Sequence, residues 1–150
     1  MILLRHGSQN PRQARQKGDL GRFGLGLKTA SFSQCRKMTV VSRRDGKLAG
    51  AVWDLDFVAE KDDWIIRLLD AEDIAKVAYA DKIGKNGTLV LWEKLDRLAE
   101  NGGREANEAI LYAKLEDIDK HLSLVFQRFM EGIKGKLKLK ISINGHELTP

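Results

Sequence analysis

The sequence predicts an α+β fold with a mixed, largely antiparallel sheet and helices on one face of that sheet. The first observation is a pair of β-branched stretches joined by Asp45-Gly46, a dipeptide that favours a two-residue hairpin turn. The second is a long segment, residues 104–131, in which apolar residues recur at helical spacing. The third is size, because 150 residues with 43% hydrophobic side chains fit one compact domain with its own core.

The strands follow from the pattern around the hairpin signal. We expect a first strand over about residues 37–44, a return strand over about 47–58 and a third over about 64–69. A further strand covers residues 87–95 and begins at the dipeptide Gly87-Thr88. Residues 71–79 are ambiguous, and a short helix is one interpretation of them.

Two helices and a last strand complete the predicted elements. The shorter helix covers about residues 25–34, and the longer one covers 104–131 with Gly132 as its C-cap. The apolar residues of the longer helix are predicted to be core: Leu115, Ile118, Leu122, Val125, Phe126 and Phe129. Beyond it, apolar residues alternate with lysines over 136–143, which predicts a half-buried strand before a turn at Asn144-Gly145.

Charge is distributed unevenly along the chain. Residues 1–47 carry eleven basic and two acidic side chains, a net charge of +9, and leave 15 basic and 19 acidic residues for the remainder. This basic first third favours an anionic partner such as a nucleotide or a nucleic acid, although a solvated surface that keeps the protein soluble explains it equally well.

One cysteine, Cys35, cannot form an internal disulfide and favours a cytoplasmic location. No apolar run approaches the roughly 20 residues that span a bilayer, so no membrane partner is expected.

A glycine-rich element precedes the shorter helix. Gly21, Gly24 and Gly26 are spaced GxxGxG, which lets backbone N–H groups approach a ligand without interference from Cβ atoms. The start of a helix adds unpaired N–H donors and the positive end of the helix dipole, so the element suits a phosphate group. Arg22 and Lys28 add positive charge. The alternative interpretation is a flexible loop followed by a helix cap.

Two common phosphate motifs do not fit this element. A Walker A loop needs Gly-Lys-Ser/Thr directly after its last glycine, but Leu27 separates Gly26 from Lys28. The dinucleotide fingerprint is GxGxxG directly after a strand, whereas here the spacing is inverted and a polar stretch precedes it.

Residues 21–29 (GRFGLGLKT) resemble the third motif of the superfamily of DNA gyrase, the ninety-kilodalton heat-shock chaperone, histidine kinases and MutL, the GHKL ATPases. Residues 7–20 are similar to the ATP lid that precedes that motif, and residues 87–90 (GTLV) to the fourth motif. Taken alone, Gly87-Thr88 is better explained as an ordinary turn into a strand. The Phe-Gly-x-Gly core followed by a helix most resembles the heat-shock chaperones and the Microrchidia-type ATPases.

The resemblance implies a partial Bergerat-type α/β sandwich with ATP held between helices and the lid. By position, the residues whose backbone would contact the triphosphate are Arg22, Phe23, Gly24, Leu25, Gly26 and Leu27. The Lys28 side chain would add a contact, Thr88 would lie near the adenine and Gly21 would be the hinge of the lid. Lid closure in the full-length protein would drive a conformational change or homodimerisation.

The resemblance also implies motifs that this sequence lacks. The family places upstream a helix with a catalytic glutamate and a magnesium-binding asparagine, then an Asp-x-Gly-x-Gly segment that binds the adenine amino group. Neither precedes Gly7, and Asp-x-Gly-x-Gly occurs nowhere in the chain. Hydrolysis needs a base near the attacking water and usually a metal ion. We therefore expect an N-terminally incomplete ATP-binding domain, with Mg²⁺ bound only in the complete domain and no catalytic residues in this chain.

Other functions have weaker support. His6, His121 and His146 lack metal-type spacing with Cys35, so zinc is not expected. Cys35 is predicted to be a small core residue, with a thiol of lowered pKa near two basic residues as the alternative. The rival to nucleotide binding is a non-enzymatic module that binds nucleic acid through basic residues of the first third: Arg12, Arg15, Lys17, Arg22, Arg43 and Arg44. That module is not favoured, because few aromatic residues are available there for base stacking.

Overall fold

The computed structural model describes residues 25–96, 104–132 and 138–150. The contacts divide the chain into two compact units, residues 1–97 and residues 98–150. In the first unit the elements are α1 (Gly26–Phe32), β1 (Lys37–Arg44), β2 (Lys47–Asp54), α2 (Leu55–Lys61), β3 (Arg67–Leu69), α3 (Ala71–Ala75), a 3-10 turn (Ala80–Lys82) and β4 (Gly87–Glu93). In the second unit they are α4 (Arg104–Glu131), β5 (Ser142–Ile143) and β6 (His146–Glu147).

The first unit is built on a four-stranded antiparallel sheet in the order β3-β2-β1-β4. The β1–β2 hairpin turns at Asp45 and Gly46, with φ angles of 50° and 76°. Two successive residues in the left-handed region make the type I′ turn that matches the twist of paired strands, which is why Asp-Gly predicted it. The α+β fold class predicted from the sequence is confirmed.

Helical segments lie on both faces of this sheet rather than on one. On the first face, α1 contributes Leu27 and Phe32 to a cluster of buried residues: Cys35, Met38, Val40, Ala51 and Trp53. On the opposite face, α3 and the 3-10 turn contribute to a second cluster: Val41, Val52, Leu69, Ile74, Ala80 and Ile83. Successive residues of a strand point to opposite faces, and residues 38–41 of β1 are all buried, so both faces need cover. We call these the α1 face and the α3 face.

The predicted return strand is too long, because an acidic cap ends it. β2 stops at Asp54, whose carboxylate accepts a hydrogen bond from the Asp56 amide at 3.1 Å and starts α2. The ambiguous segment contains α3, which is capped by the Asp70 carboxylate accepting from the Asp73 amide at 2.8 Å. The third strand is present only as Arg67–Leu69.

The second unit is the long helix α4 and a short hairpin. The strand predicted over residues 136–143 is present only as β5, and 136 and 137 lie outside the described residues. The Leu139 amide donates to the Phe129 carbonyl at the end of α4 at 2.9 Å, and this bond takes the place of strand pairing there. β5 and β6 turn at Asn144 and Gly145, with φ angles of 50° and 84°. Nowhere in the described ranges does a helix combine the length and the apolar content that crossing a bilayer requires.

Candidate functional site

The glycine-rich element is described in its second half. Gly21, Arg22, Phe23 and Gly24 lie outside the described residues, as do the predicted lid over residues 7–20 and four of the basic residues assigned to nucleic-acid binding. The predicted site residues that can be placed are Leu25, Gly26, Leu27, Lys28 and Thr88.

The start of α1 exposes backbone donors. Leu25 precedes the helix with φ −100° and ψ −25° and makes no side-chain capping bond. Its carbonyl accepts from the Thr29 amide at 2.9 Å and from the Thr29 hydroxyl at 3.0 Å. The amides of the first turn have no intrahelical acceptor. Amides at the start of a helix are the donors that a phosphate cradle uses.

Gly26 leaves open space at this point. Gly26 is exposed, and a Cβ atom built on it would have no heavy atom of the described residues within 4 Å beyond its chain neighbours. Its φ angle is not in the left-handed region. The described part of the structure therefore does not itself require glycine at this position.

Leu27 and Lys28 point away from the surface. Leu27 packs against the buried cluster on the α1 face. The Lys28 side chain is 2% exposed, and its burial lowers the pKa of its ammonium group. A buried cation beneath the first turn of a helix is unusual because an ammonium group loses hydration there. The structure thus places Lys28 within the body of the unit, and its predicted contact with a triphosphate stays a prediction.

One hydrogen bond anchors α1 to the sheet. The Trp92 indole Nε1 donates to the Ser31 hydroxyl at 2.9 Å, and Ser31 is fully buried. Trp92 is on β4, the strand that begins at Gly87-Thr88. The helix that follows the glycines and the Gly-Thr strand are therefore linked directly.

Thr88 lies on the same face of the sheet as α1. Trp92, which reaches α1, and Thr88 are four residues apart on β4, so their side chains point to one face and their Cα atoms are about 13 Å apart. The Thr88 and Ser42 hydroxyl oxygens are 2.9 Å apart, because the two residues are paired across β4 and β1. A surface pocket of about 470 Å³ lies beside them, lined by Ser42, Arg43, Arg44, Asp45, Asn86, Gly87 and Thr88.

Ser42 and Asn86 are site residues that no motif identified. Ser42 is brought to Thr88 by the antiparallel register of β1 and β4, in which residues 46 positions apart are opposed. Asn86 is fixed by its side-chain oxygen, which accepts from the Asp45 amide at 2.9 Å. The hairpin prediction placed the turn correctly, but only the register of β4 against β1 could have identified these neighbours.

The opposite end of the sheet carries an ion-pair network. The Lys94 ammonium donates to both Asp54 oxygens at 3.1 and 3.0 Å and to Asp56 at 2.7 Å, and the Arg36 guanidinium donates to Asp56 at 2.7 Å. Hydrogen bonds from Lys94 and Arg36 lower the pKa of the Asp56 carboxyl group. This network connects the ends of β4 and β2. Because Asp54 and Asp56 both have basic partners within it, we assign the network a structural role.

Cys35 is a core residue. It is fully buried in the cluster on the α1 face, and burial raises the pKa of its thiol. The alternative of a reactive thiol with a lowered pKa is therefore wrong, because desolvation outweighs the backbone hydrogen bonds with Lys37 and Glu93, which lower the pKa. Within the described part of the chain, no three His, Cys, Asp or Glu side chains are grouped so that they could hold a metal ion.

Comparison with known proteins gives one match. The family described as histidine kinase-, DNA gyrase B- and HSP90-like ATPase matches residues 2–88. The match covers more than half of the chain and includes both the glycine-rich element and Gly87-Thr88. No curated protein and no solved structure matches the chain significantly.

Proposed function

Because the chain belongs to the family of histidine kinase-, DNA gyrase B- and HSP90-like ATPases, and so contains a GHKL-type ATP-binding domain, we propose that the α1 face holds the nucleotide. The triphosphate lies at the glycine-rich element, and the adenine lies at Thr88. The observation that supports this most directly is the Trp92–Ser31 hydrogen bond, since it joins the helix after the glycines to the strand that begins at Thr88.

The phosphate part of the site uses the backbone. The residues proposed to donate amides are Arg22, Phe23, Gly24, Leu25, Gly26 and Leu27, with Gly21 as the hinge of a lid over residues 7–20. Amides at the start of α1 lack intrahelical acceptors, and the space at Gly26 lets an anion approach them closely. Lys28 adds a buried positive charge behind this turn, and a triphosphate in front of it favours the protonated ammonium.

We propose that this chain binds ATP without hydrolysing it appreciably. The sequence contains no Asp-x-Gly-x-Gly segment, and no acidic residue of the described part lies on α1 or in the pocket beside Thr88 except Asp45. Without a base near the attacking water, hydrolysis lacks its main chemical step. In the described part of the chain, no three His, Cys, Asp or Glu side chains are grouped so that they could hold a metal ion, so we propose no Mg²⁺ ligands there.

Three further statements are also proposals. The Phe-Gly-x-Gly core supports a subtype like that of the heat-shock chaperones or the Microrchidia-type ATPases, and lid closure supports homodimerisation on nucleotide binding. The single buried Cys35 supports a reducing, cytoplasmic location.

Gly26→Ala tests the proposed function. A Cβ atom at this position would contact no heavy atom of the described residues within 4 Å beyond its chain neighbours, and alanine favours a helix over glycine by up to about 1 kcal/mol, so the variant should fold at least as stably. In the complex, the same Cβ lies between the amides and the phosphate oxygens. Isothermal titration with ATP and Mg²⁺ should therefore give an affinity at least about tenfold weaker, a loss of roughly 1.4 kcal/mol.

Gly84→Ala is the matched control, because a Cβ atom at that exposed glycine also meets nothing within 4 Å. It should leave the affinity for ATP unchanged. Equal ATP affinities for the parent chain and Gly26→Ala, or no ATP binding by the parent chain, would refute the proposal. Binding that survives Gly26→Ala and weakens steeply with salt would instead indicate a nucleic-acid module. Steady phosphate release by the parent chain would contradict the absence of turnover.

A further inference from the structure

The helix α4 carries a heptad repeat along one side. Six apolar residues follow one another at alternating steps of four and three: Leu111, Leu115, Ile118, Leu122, Val125 and Phe129. All six lie within α4, which is continuous from Arg104 to Glu131. Steps of four and three repeat every seven residues, and this spacing keeps an apolar stripe facing a neighbouring helix in a coiled coil. We call these six residues the α4 seam.

Most of the α4 seam is open to solvent. Four of its side chains are between 38% and 52% exposed: Leu111, Ile118, Val125 and Phe129. The segment before β5 meets α4 near the end of the helix, where the Leu139 amide donates to the Phe129 carbonyl. A continuous apolar stripe of this length marks a surface that is covered in an assembly.

The heptad positions specify how many helices the assembly contains. The order of the steps assigns Leu115, Leu122 and Phe129 to position a, and it assigns Leu111, Ile118 and Val125 to position d. Leucine at a combined with a β-branched residue at d favours three or four helices over two. Tyr112 and Phe126 lie at position e and widen the apolar side of α4, as a bundle of more than two helices needs.

Charged residues beside the seam set the direction of the helices. Lys114 lies at position g and Asp119 at position e, and both are exposed. In a parallel bundle, g on one helix faces e of the following heptad on its neighbour, so Lys114 meets Asp119 of another copy. In an antiparallel bundle, g faces g, which brings together the basic residues Lys114 and Arg128. The charges therefore favour the parallel arrangement.

We propose that copies of this chain assemble through the α4 seam into a parallel bundle of three or four helices. The seam is thus covered by the same seam on other copies. This assembly is separate from the homodimerisation that was proposed above for lid closure, because no residue of the seam belongs to the proposed nucleotide site. It therefore forms equally with and without ATP.

Sedimentation equilibrium of the full chain measures the mass of the assembly. The parent chain should give three or four times 16.9 kDa, with or without ATP. Leu122→Lys places a charge in the seam and should give the mass of a single copy. Leu124→Lys is the matched control, because Leu124 is on the same helix at position c and is 74% exposed. Lysine and leucine have similar helix propensities, so both variants keep the helix, and Leu124→Lys should keep the parent mass.

A second variant tests the seam without adding a charge. Exchanging the branched residues puts isoleucine at a and leucine at d, by the four changes Leu115→Ile, Leu122→Ile, Ile118→Leu and Val125→Leu. This pattern favours two helices, so the mass should fall to that of a dimer. A seam that packs only within its own chain gives no reason for such a change, and the variant remains informative should Leu122→Lys unfold.

Charge reversal tests the direction of the helices. Lys114→Glu brings two acids together in a parallel bundle and should raise the concentration at which half of the assembly dissociates by about tenfold, because the repulsion repeats in each copy. Adding Asp119→Lys should restore the parent value. A parent chain that is monomeric or dimeric, or an assembly that Leu122→Lys leaves intact, overturns the proposal. An unchanged dissociation in both charge variants overturns the parallel arrangement. None of these results depends on whether the chain binds ATP.

Discussion

The hydrogen bond between Trp92 and Ser31 makes a sharp prediction, because its two ends differ in exposure. Ser31 is fully buried, whereas Trp92 is 39% exposed. In Trp92→Phe, the Ser31 hydroxyl stays buried without its partner, which costs about 1–3 kcal/mol. In Ser31→Ala, the indole N–H of Trp92 is near enough to solvent to bind water, so the expected cost is only about 0.5–1.5 kcal/mol.

The double variant provides the decisive comparison. Once Ser31→Ala has removed the buried hydroxyl, changing Trp92 to phenylalanine leaves no buried polar group without a partner. The remaining loss of unfolding free energy then comes only from the smaller packing contact of the phenylalanine ring. The double variant should therefore be less destabilised than the sum of the single variants, with a coupling of about 1 kcal/mol. Urea unfolding followed by far-UV circular dichroism measures all four free energies. Additivity within about 0.5 kcal/mol would show that the bond does not anchor α1.

Two further predictions concern Lys28 and Gly50. Burial lowers the pKa of Lys28 from 10.5, so between the lowered value and 10.5 the folded chain binds fewer protons than the unfolded chain, and stability rises with pH. Lys28→Met should lose this rise, and a change of urea midpoint between pH 7 and pH 10 that is the same in both chains would contradict the assignment. A Cβ atom at Gly50 would lie 3.0 Å from Ile74 Cγ1 and 3.1 Å from Leu69 Cδ1. Gly50→Ala should therefore cost about 1–3 kcal/mol, whereas Gly84→Ala should cost little, and equal unfolding free energies would show that α3 moves aside freely.

Local sequence patterns predicted those structural elements that are determined by residues close together in the chain. Asp45-Gly46 placed the hairpin turn because only a few residues adopt two successive left-handed conformations. Residues 55–58 were expected to be strand, yet they belong to the helix α2, because the Asp54 carboxylate satisfies an amide of its first turn. Helical spacing identified α4 but did not determine its burial. Ile118 and Val125 were predicted to be core and are 46% and 52% exposed.

The sequence predicted features that depend on local backbone conformation and missed those that depend on the register of the strands. A glycine pattern specifies an open start to a helix, and α1 does begin at Gly26 with a space where a side chain would be. The relation between Ser42 and Thr88 depends on how β1 and β4 align, and nothing in either segment alone determines that alignment. The burial of Lys28 was also missed. A lysine near a phosphate motif suggests an exposed side chain, but tertiary packing determines how far that side chain is buried.

The two parts of the proposed site depend on a single strand. The phosphate cradle is attached to β4 through Trp92, and the base pocket is built at the other end of β4 around Thr88. A change at Gly26 should therefore weaken every nucleoside triphosphate equally, because it acts on the phosphates alone. A change at Thr88 should alter the ratio between nucleotides with different bases, because Thr88 is where the proposed function places the base. A change at Trp92 loosens α1 and should resemble Gly26→Ala in its effect on binding, but with a loss of stability that Gly26→Ala lacks. These three signatures assign any loss of affinity to the cradle, the base pocket or the strand that holds them in place.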